Sequence, residues 1–199
     1  MNTLNTTTTH ITIDNIYVWD NFFPEEVFND IVEKSEWVPW KYCEVVSESV
    51  GLTQEHLVER FMTWNIYEEG QVHFDPMNLL PVVDEHSRKN ILAKCPNAQV
   101  HDIKRFRFNG TMKGEGYTMW PHADIHGDQE TVWTIVVYLK GDGGTSFYDK
   151  KGGSKIKTVD FAPNRAVMFP SMMWHNAESP TQSYFRTSLG IVFMIDSIL

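Results

Sequence analysis

The sequence predicts a mainly β protein with helices (α+β): a double-stranded β-helix, or jelly roll, braced by N-terminal helices. Two observations carry that prediction. Upstream of Asn97 the apolar residues recur with helical spacing. Downstream, short apolar runs alternate with Gly-, Pro- and Asn-bearing turns, the pattern of several strands following a helical third. A third observation sets the scale: 199 residues, 42% hydrophobic and 22% charged, suffice for one soluble domain with its own core.

Each element follows from its residues. Ile11 to Trp19 alternates as a strand through Ile11, Ile13, Ile16 and Val18. Phe23-Pro24-Glu25-Glu26 opens a helix, with proline at the first position and acids in the first turn. Val27, Phe28, Ile31 and Val32 give it an apolar stripe; Trp37 and Trp40 follow in a loop as packing residues. A second helix is expected from the N-cap Thr53 through Met62, with Leu57, Val58 and Phe61 on one side. A third runs from about Met77 to Lys94, admitting Pro81 near its start and ending at Pro96-Asn97. Strands are then predicted at Val100–Phe108, Thr131–Leu139, Thr145–Tyr148, Lys155–Val159, Arg165–Phe169 and Tyr184–Ile195. Nothing marks a linker or repeat. The expected organisation is a flexible tail over 1–10 and one domain over 11–199, with helical support at about 24–95 and a jelly-roll core at about 98–195.

Composition narrows the function. A formal charge of −9 gives no support to nucleic-acid binding, which usually needs a basic face. Cys43 and Cys95 lack metal-type spacing and read as reduced, buried thiols. Met1 to His10 has neither the basic nor the apolar segment of a signal peptide, and no run is long enough to span a bilayer. The expectation is a cytoplasmic protein with no membrane partner; its oligomeric state is not encoded in any motif.

The chemistry centres on His122-Ala123-Asp124, with His175 and Arg186 downstream. On an extended segment, residues two apart project to one face, as two ligands of one ion require. Two histidines and a carboxylate can hold one face of a ferrous ion and leave the other open. His122, Asp124 and His175 are therefore the candidate metal ligands, and Arg186 the fixed positive charge behind them. His126 and Asp128 are spare candidates, ranked lower because Gly127 begins a turn. His10, His56, His73, His86 and His101 lack partners at ligand spacing, His56 and His86 being placed on solvent-facing helix positions.

From Pro121-His122-Ala123-Asp124 onward the chain resembles the Fe(II)/2-oxoglutarate-dependent dioxygenase superfamily, in particular its prolyl-4-hydroxylase-like branch. The resemblance runs through Thr134-Ile135-Val136-Val137-Tyr138-Leu139, Gly143-Gly144-Thr145-Ser146-Phe147 and Pro163-Asn164-Arg165-Ala166-Val167-Met168-Phe169-Pro170, and closes on His175 and Arg186-Thr187-Ser188. The opening Ile16-Tyr17-Val18-Trp19-Asp20-Asn21-Phe22-Phe23 is similar too, whereas residues between about 36 and 98 match no pattern.

The resemblance implies an enzyme using Fe(II), 2-oxoglutarate and O2, with ascorbate as a supportive reductant. It implies an ion held by His122, Asp124 and His175, and release of succinate and CO2 as a C–H bond is hydroxylated. The far carboxylate of the co-substrate calls for a bidentate partner that keeps its proton, which Arg186 supplies better than lysine would. Period two puts Ser188 on the same face. Tyr138, and Thr134 by alternation, are further cofactor-binding candidates. The substrate implied is a peptidyl residue such as proline, or a small metabolite. Asp124 argues against halogenation, which needs that ligand absent.

Other readings are weighed on the same residues. A non-catalytic metal- or ligand-binding jelly-roll module has no use for a dicarboxylate anchor such as Arg186. Repair of alkylated nucleic acid is disfavoured by Val192, which stands where that branch carries a second arginine. Arg105 and Arg107 share one face of their strand, opposite Phe106 and Phe108. They read first as a solvated face, with the alternative that they line the substrate mouth and favour an anion. Trp120, Trp174, Met172 and Met173 adjoin the proposed ligands as cavity wall or plain core. Lys150, Lys151, Lys155 and Lys157 mark a solvated hairpin.

Overall fold

The computed structural model describes residues 13–43, 61–73, 75, 77–114, 120–125, 131–196 and 198. Eleven strands and two helices make up the described fold. The strands are β1 (Tyr17–Trp19), β2 (Lys41–Cys43), β3 (Phe61–Glu68), β4 (Gln71–Val72), β5 (Gln99–Met112), β6 (Val132–Lys140), β7 (Thr145–Tyr148), β8 (Lys155–Val159), β9 (Ala166–Pro170), β10 (His175–Ala177) and β11 (Phe185–Asp196). The helices are α1 (Glu25–Ser35) and α2 (Leu79–Lys94). A large antiparallel sheet runs β1-β9-β6-β11-β5-β3-β2, with β4 paired to β3, and a small one runs β10-β7-β8. This is the jelly roll braced by helices.

Strand parity explains how the large sheet is sandwiched. Ile135, Val137 and Leu139 of β6, Leu189, Ile191 and Phe193 of β11, and Phe106 and Phe108 of β5 face one way and are fully buried with Ile31, Val83 and Ile91 of the helices. The alternate residues, Val136, Tyr138, Val167 and Phe169, face the small sheet and pack with Phe147 and Val159. A strand covered on both faces reads as a continuous apolar run, and β6 does.

The expected strands at Thr145–Tyr148 and Lys155–Val159 are observed with those bounds, and the others shift by a few residues. Five expectations need correction. The first strand is only Tyr17–Trp19, preceded by a 3-10 turn at Ile13–Asn15, because the apolar alternation changes parity between Ile13 and Ile16. Most of the expected helix from Thr53 lies outside the described residues, but its end, Phe61 and Met62, opens β3, where they pair with Thr111 and Gly110. The region 24–95 is thus not purely helical support, since β2, β3 and β4 extend the sheet beyond β5. Trp37 does not pack: it is 80% exposed, whereas Trp40 packs edge-on against Phe108 and Phe185. Helix α2 starts two residues later than expected because the Asp75 carboxylate, not a residue nearer the helix, accepts from the Leu79 and Leu80 amides, both at 2.9 Å.

Two of the motif pieces have structural causes. Asn164 sits at φ 62, a conformation that asparagine tolerates, and its side chain clasps Phe23 by accepting from its amide (2.9 Å) and donating to its carbonyl (2.8 Å). That clasp ties the N-terminal segment to β9. Gly143, at φ 88, passes so close to the Glu178 carbonyl that a Cβ would lie 2.4 Å from it. Cys95 is free and buried. Among the described residues no helix is long and apolar enough to cross a membrane.

Candidate metal centre and active site

His122, Asp124 and His175 meet. Their ligand atoms all lie within 4.8 Å of one another, and His175 Nε2 is 3.6 Å from Asp124 Oδ2. Backbone pairing achieves this. His122 and His175 form a two-residue bridge in which each amide donates to the other's carbonyl at 2.9 Å. The Asp124 amide donates to the Ser171 carbonyl at 2.9 Å. His175 Nδ1–H donates to the Met173 carbonyl at 2.9 Å, which leaves the Nε2 lone pair facing the aspartate.

The electrostatics suit a cation. Burial, with the neighbouring His175, pushes the His122 imidazole down to about 3, and burial lowers His175 as well, so both rings stay neutral. Burial opposes ionisation of Asp124, but the guanidinium of Arg105 and the cluster around it hold the carboxyl far below its usual range. Arg105 Nη2 donates to Asp124 Oδ1 at 2.6 Å, while Thr134 donates to Oδ2 at 2.8 Å. Each carboxylate oxygen is thereby oriented.

Arg186 and Ser188 project from β11 into the same cavity as the three ligands, with Thr145 on the opposite sheet. Arg186 is 2% exposed, and its Nε and Nη2 have no hydrogen-bond partner. Unmatched guanidinium nitrogens at that depth are costly unless an anion joins them, so the residues present fit a dicarboxylate with one end at the metal ligands. The guanidinium carbon lies 5.1 Å from the centroid of the Tyr138 ring. The Tyr138 hydroxyl is 2.9 Å from Thr145 Oγ1 and 3.1 Å from the Val159 carbonyl.

Not every expected site residue falls where the sequence suggested. Thr134 shares the face of Tyr138, but its hydroxyl reaches Asp124 and Ser171 rather than the neighbourhood of Arg186. Four residues of strand, about 13 Å, separate it from Tyr138. Arg105 and Arg107 are not on a solvated face: their side chains are 19% and 14% exposed and line the cavity. Trp120, Trp174, Met172 and Met173 lie outside the lining. Trp120 is 41% exposed, and Met173 packs in the core between the sheets. His86 is half-buried against Phe23, not solvent-facing, and His101 pairs with Asp196 at 2.9 Å. His10, His56, His126 and Asp128 lie outside the described residues. Sequence reasoning missed Thr145, Asn109 and Ser171. The first two were visible as a polar residue in the Gly-Gly-Thr turn and as the next step of the Arg105, Arg107 alternation; Ser171 carried no signal.

Comparison with known proteins agrees with this fold. Residues 106–193 match the family model of the 2OG-Fe(II) oxygenase superfamily. No protein of curated function matches the chain in sequence. The fold is similar to an oxidoreductase of the 2OG-Fe(II) oxygenase family from Burkholderia pseudomallei, with a TM-score of 0.67 and 14% identity over 92% of this chain and 85% of that one. It is similar to a prolyl hydroxylase from Trichoplax adhaerens, solved with a hypoxia inducible factor oxygen degradation domain peptide fragment (TM-score 0.62, 12% identity, 92% and 84% covered). HygX from Streptomyces hygroscopicus, solved with nickel, 2-oxoglutarate and hygromycin B, is a third (TM-score 0.59, 8% identity, 90% and 82% covered). At such identities the likeness is one of fold.

Proposed function

We propose, from the match of residues 106–193 to the family model of the 2OG-Fe(II) oxygenase superfamily, that His122, Asp124 and His175 hold Fe(II) and that Arg186 anchors 2-oxoglutarate while a substrate C–H bond is hydroxylated. The observation that carries this reading is the buried guanidinium of Arg186, with two unmatched nitrogens in the cavity of the three ligands. A structural metal site needs no such anion anchor. Bound iron with 2-oxoglutarate and O2 would supply the oxidising chemistry, releasing succinate and CO2 as hydroxyl enters the substrate.

The chain's own residues do the rest. Two neutral imidazoles and a fixed carboxylate offer three donor atoms on one side and leave the other side to the co-substrate and O2. Thr134 and Arg105 hold the carboxylate so that its oxygens do not rotate between partners. Arg186, with Ser188 beside it, grips the far carboxylate, and Tyr138 fixes the guanidinium from beneath. Burial of this pair keeps water from competing for those bonds.

The substrate is a peptidyl residue, proline among them, or a small metabolite. The complexes of the Trichoplax and Streptomyces proteins, one with a peptide fragment and one with hygromycin B, support both. Purified protein with Fe(II), ascorbate and O2 should convert 2-oxoglutarate to succinate, slowly without substrate and faster with the correct one in a panel of peptides and metabolites. Asp124→Ala should abolish conversion; full turnover in that variant would remove Asp124 from the metal.

A further inference from the structure

A single row of side chains across three strands decides how the Asp124 carboxylate is held. Val192 of β11 pairs with Arg105 of β5 on one side and with Thr134 of β6 on the other. Cross-strand partners share a face, so all three project from the inner face of the sheet. Two strand spacings, roughly 10 Å, separate the backbones at the ends of the row. Val192, in the middle, has no hydrogen-bonding group, and the polar residues on either side reach one carboxylate. Arg105 Nη2 donates to Oδ1 at 2.6 Å, and Thr134 Oγ1 donates to Oδ2 at 2.8 Å.

The two ends are chemically unlike. Thr134 gives its only hydroxyl proton to Oδ2, so Ser171 Oγ must be the donor in its 2.8 Å contact with Thr134 Oγ1. That relay is neutral and leaves Oδ2 with lone-pair capacity for a further partner. Oδ2 is also the oxygen 3.6 Å from His175 Nε2, on the side of the other ligands. Oδ1 instead carries a charge-assisted bond to a guanidinium, which keeps its proton. Arg107 Nη2 also approaches Oδ1, at 3.9 Å, beyond hydrogen-bond reach. The Arg105 and Asp124 side chains are 19% and 5% exposed, so solvent screens their attraction weakly.

We propose that Arg105 is a positioning residue that keeps Asp124 a one-oxygen metal ligand, through Oδ2, by holding Oδ1 away from the ion. This role presupposes the metal site proposed above and adds to it a strand, β5, that supplies none of the three ligands. A carboxylate bound through both oxygens would fill a position that the co-substrate and O2 need. Turning Oδ1 towards a cation would break the Arg105 bond in a buried site, where an unpaired charge is costly. The guanidinium also repels a cation held beside the same carboxylate. Metal affinity is therefore lower than the three ligands alone would give.

Difference infrared spectra of the full chain with and without Ni(II) test this. The gap between the antisymmetric and symmetric carboxylate stretches is wide for a one-oxygen ligand and narrow for a two-oxygen one. Asp124→Ala assigns the bands by their loss. Calorimetry on that variant also tests the metal site by itself, because unchanged Ni(II) affinity there refutes the oxygenase reading. The wild-type gap should be wide, a result that stands whether or not any variant folds. Arg105→Met should narrow it, whereas Thr134→Val, which acts on Oδ2, should leave it wide. Ni(II) should bind Arg105→Met about tenfold tighter, since a neighbouring positive charge is gone. A merely structural role for Arg105 would weaken Ni(II) binding instead. A narrow wild-type gap, a gap unchanged in Arg105→Met or equally narrowed in Thr134→Val, or weaker Ni(II) binding in Arg105→Met overturns this inference. Each of those results leaves the three ligands in place.

Discussion

The two faces of the large sheet are built from the same strands and do opposite work. On the helix side, Phe106, Phe108, Ile135, Val137, Leu189, Ile191 and Phe193 are all fully buried and wholly apolar. One residue along each strand, the other face carries Arg105, Arg107, Asn109, Thr134, Arg186 and Ser188 around a cavity. The first face stabilises the fold by removing apolar area from water, at about 1.5–3 kcal/mol per large side chain. The second buries Nε and Nη2 of Arg186, Nε of Arg105 and Oδ1 of Asn109 without hydrogen-bond partners, which opposes folding. Stability and chemistry are thus separated by strand parity, with one face supporting the strain of the other.

Substitutions on the two sides of β11 give the widest contrast. Phe193→Ala should destabilise the protein by about 3–5 kcal/mol in denaturant titrations, through loss of a fully buried ring. Arg186→Gln should leave the unfolding midpoint of the ligand-free protein unchanged or raise it, because a costly buried charge is removed. Its 2-oxoglutarate affinity should fall by roughly 100-fold or more, as expected on losing a charge-assisted bidentate partner. An Arg186→Gln variant that is strongly destabilised, or that binds the co-substrate normally, would break the division.

Adjacent residues of β6 sharpen the same comparison. Val137 is 0% exposed in the helix-side core, whereas Val136, at 9%, lines the cavity beside Thr134 and Thr145. Replacing either valine by threonine makes the same chemical change. Val137→Thr buries a hydroxyl among hydrocarbons and should cost about 1–3 kcal/mol. Val136→Thr meets polar neighbours and should cost less than about 1 kcal/mol. Equal losses in the two variants would mean that the inner face is as dry and apolar as the outer one.

Parity was legible because it is a property of the chain itself. The His-x-Asp spacing, the shared face of Thr134 and Tyr138 and the placement of Ser188 with Arg186 all follow from period two. What escaped was contact between segments. The bridge that brings His122 to His175 is a backbone pairing, and no residue type advertises it. β3 was hidden because Phe61 and Met62 continue the helical spacing begun at Leu57. Arg105 and Arg107 resembled a solvated face because arginine on a strand usually is one. Only the position of β5 beside β11 turns that face inward. The direction of a side chain could be read from the sequence, but the identity of its neighbour depended on topology.

The smallest effect concerns how the inner face is kept in register at its Arg186 end. Asp142, in the turn between β6 and β7, accepts hydrogen bonds from the amides of Thr181 (2.7 Å), Gln182 (3.1 Å) and Ser183 (2.7 Å), in the segment that leads into β11. Desolvation opposes ionisation of this carboxyl, but the hydrogen bonds together outweigh it and hold the group well below the usual carboxylate range. A carboxyl lowered in the folded state contributes stability above its unfolded pKa and loses it as pH falls through the folded value. Stability should therefore decline in acid below about pH 4 in part through this group. Asp142→Asn should cost about 1 kcal/mol near neutral pH, the usual scale for a partly exposed cap, and should flatten that acid-side slope. Because the turn sits on the Arg186 side of the cavity, the variant should also weaken 2-oxoglutarate binding slightly while leaving Ni(II) affinity alone. A loss of Ni(II) affinity instead would mean that the two ends of the cavity are mechanically coupled, and that the inner face moves as one piece.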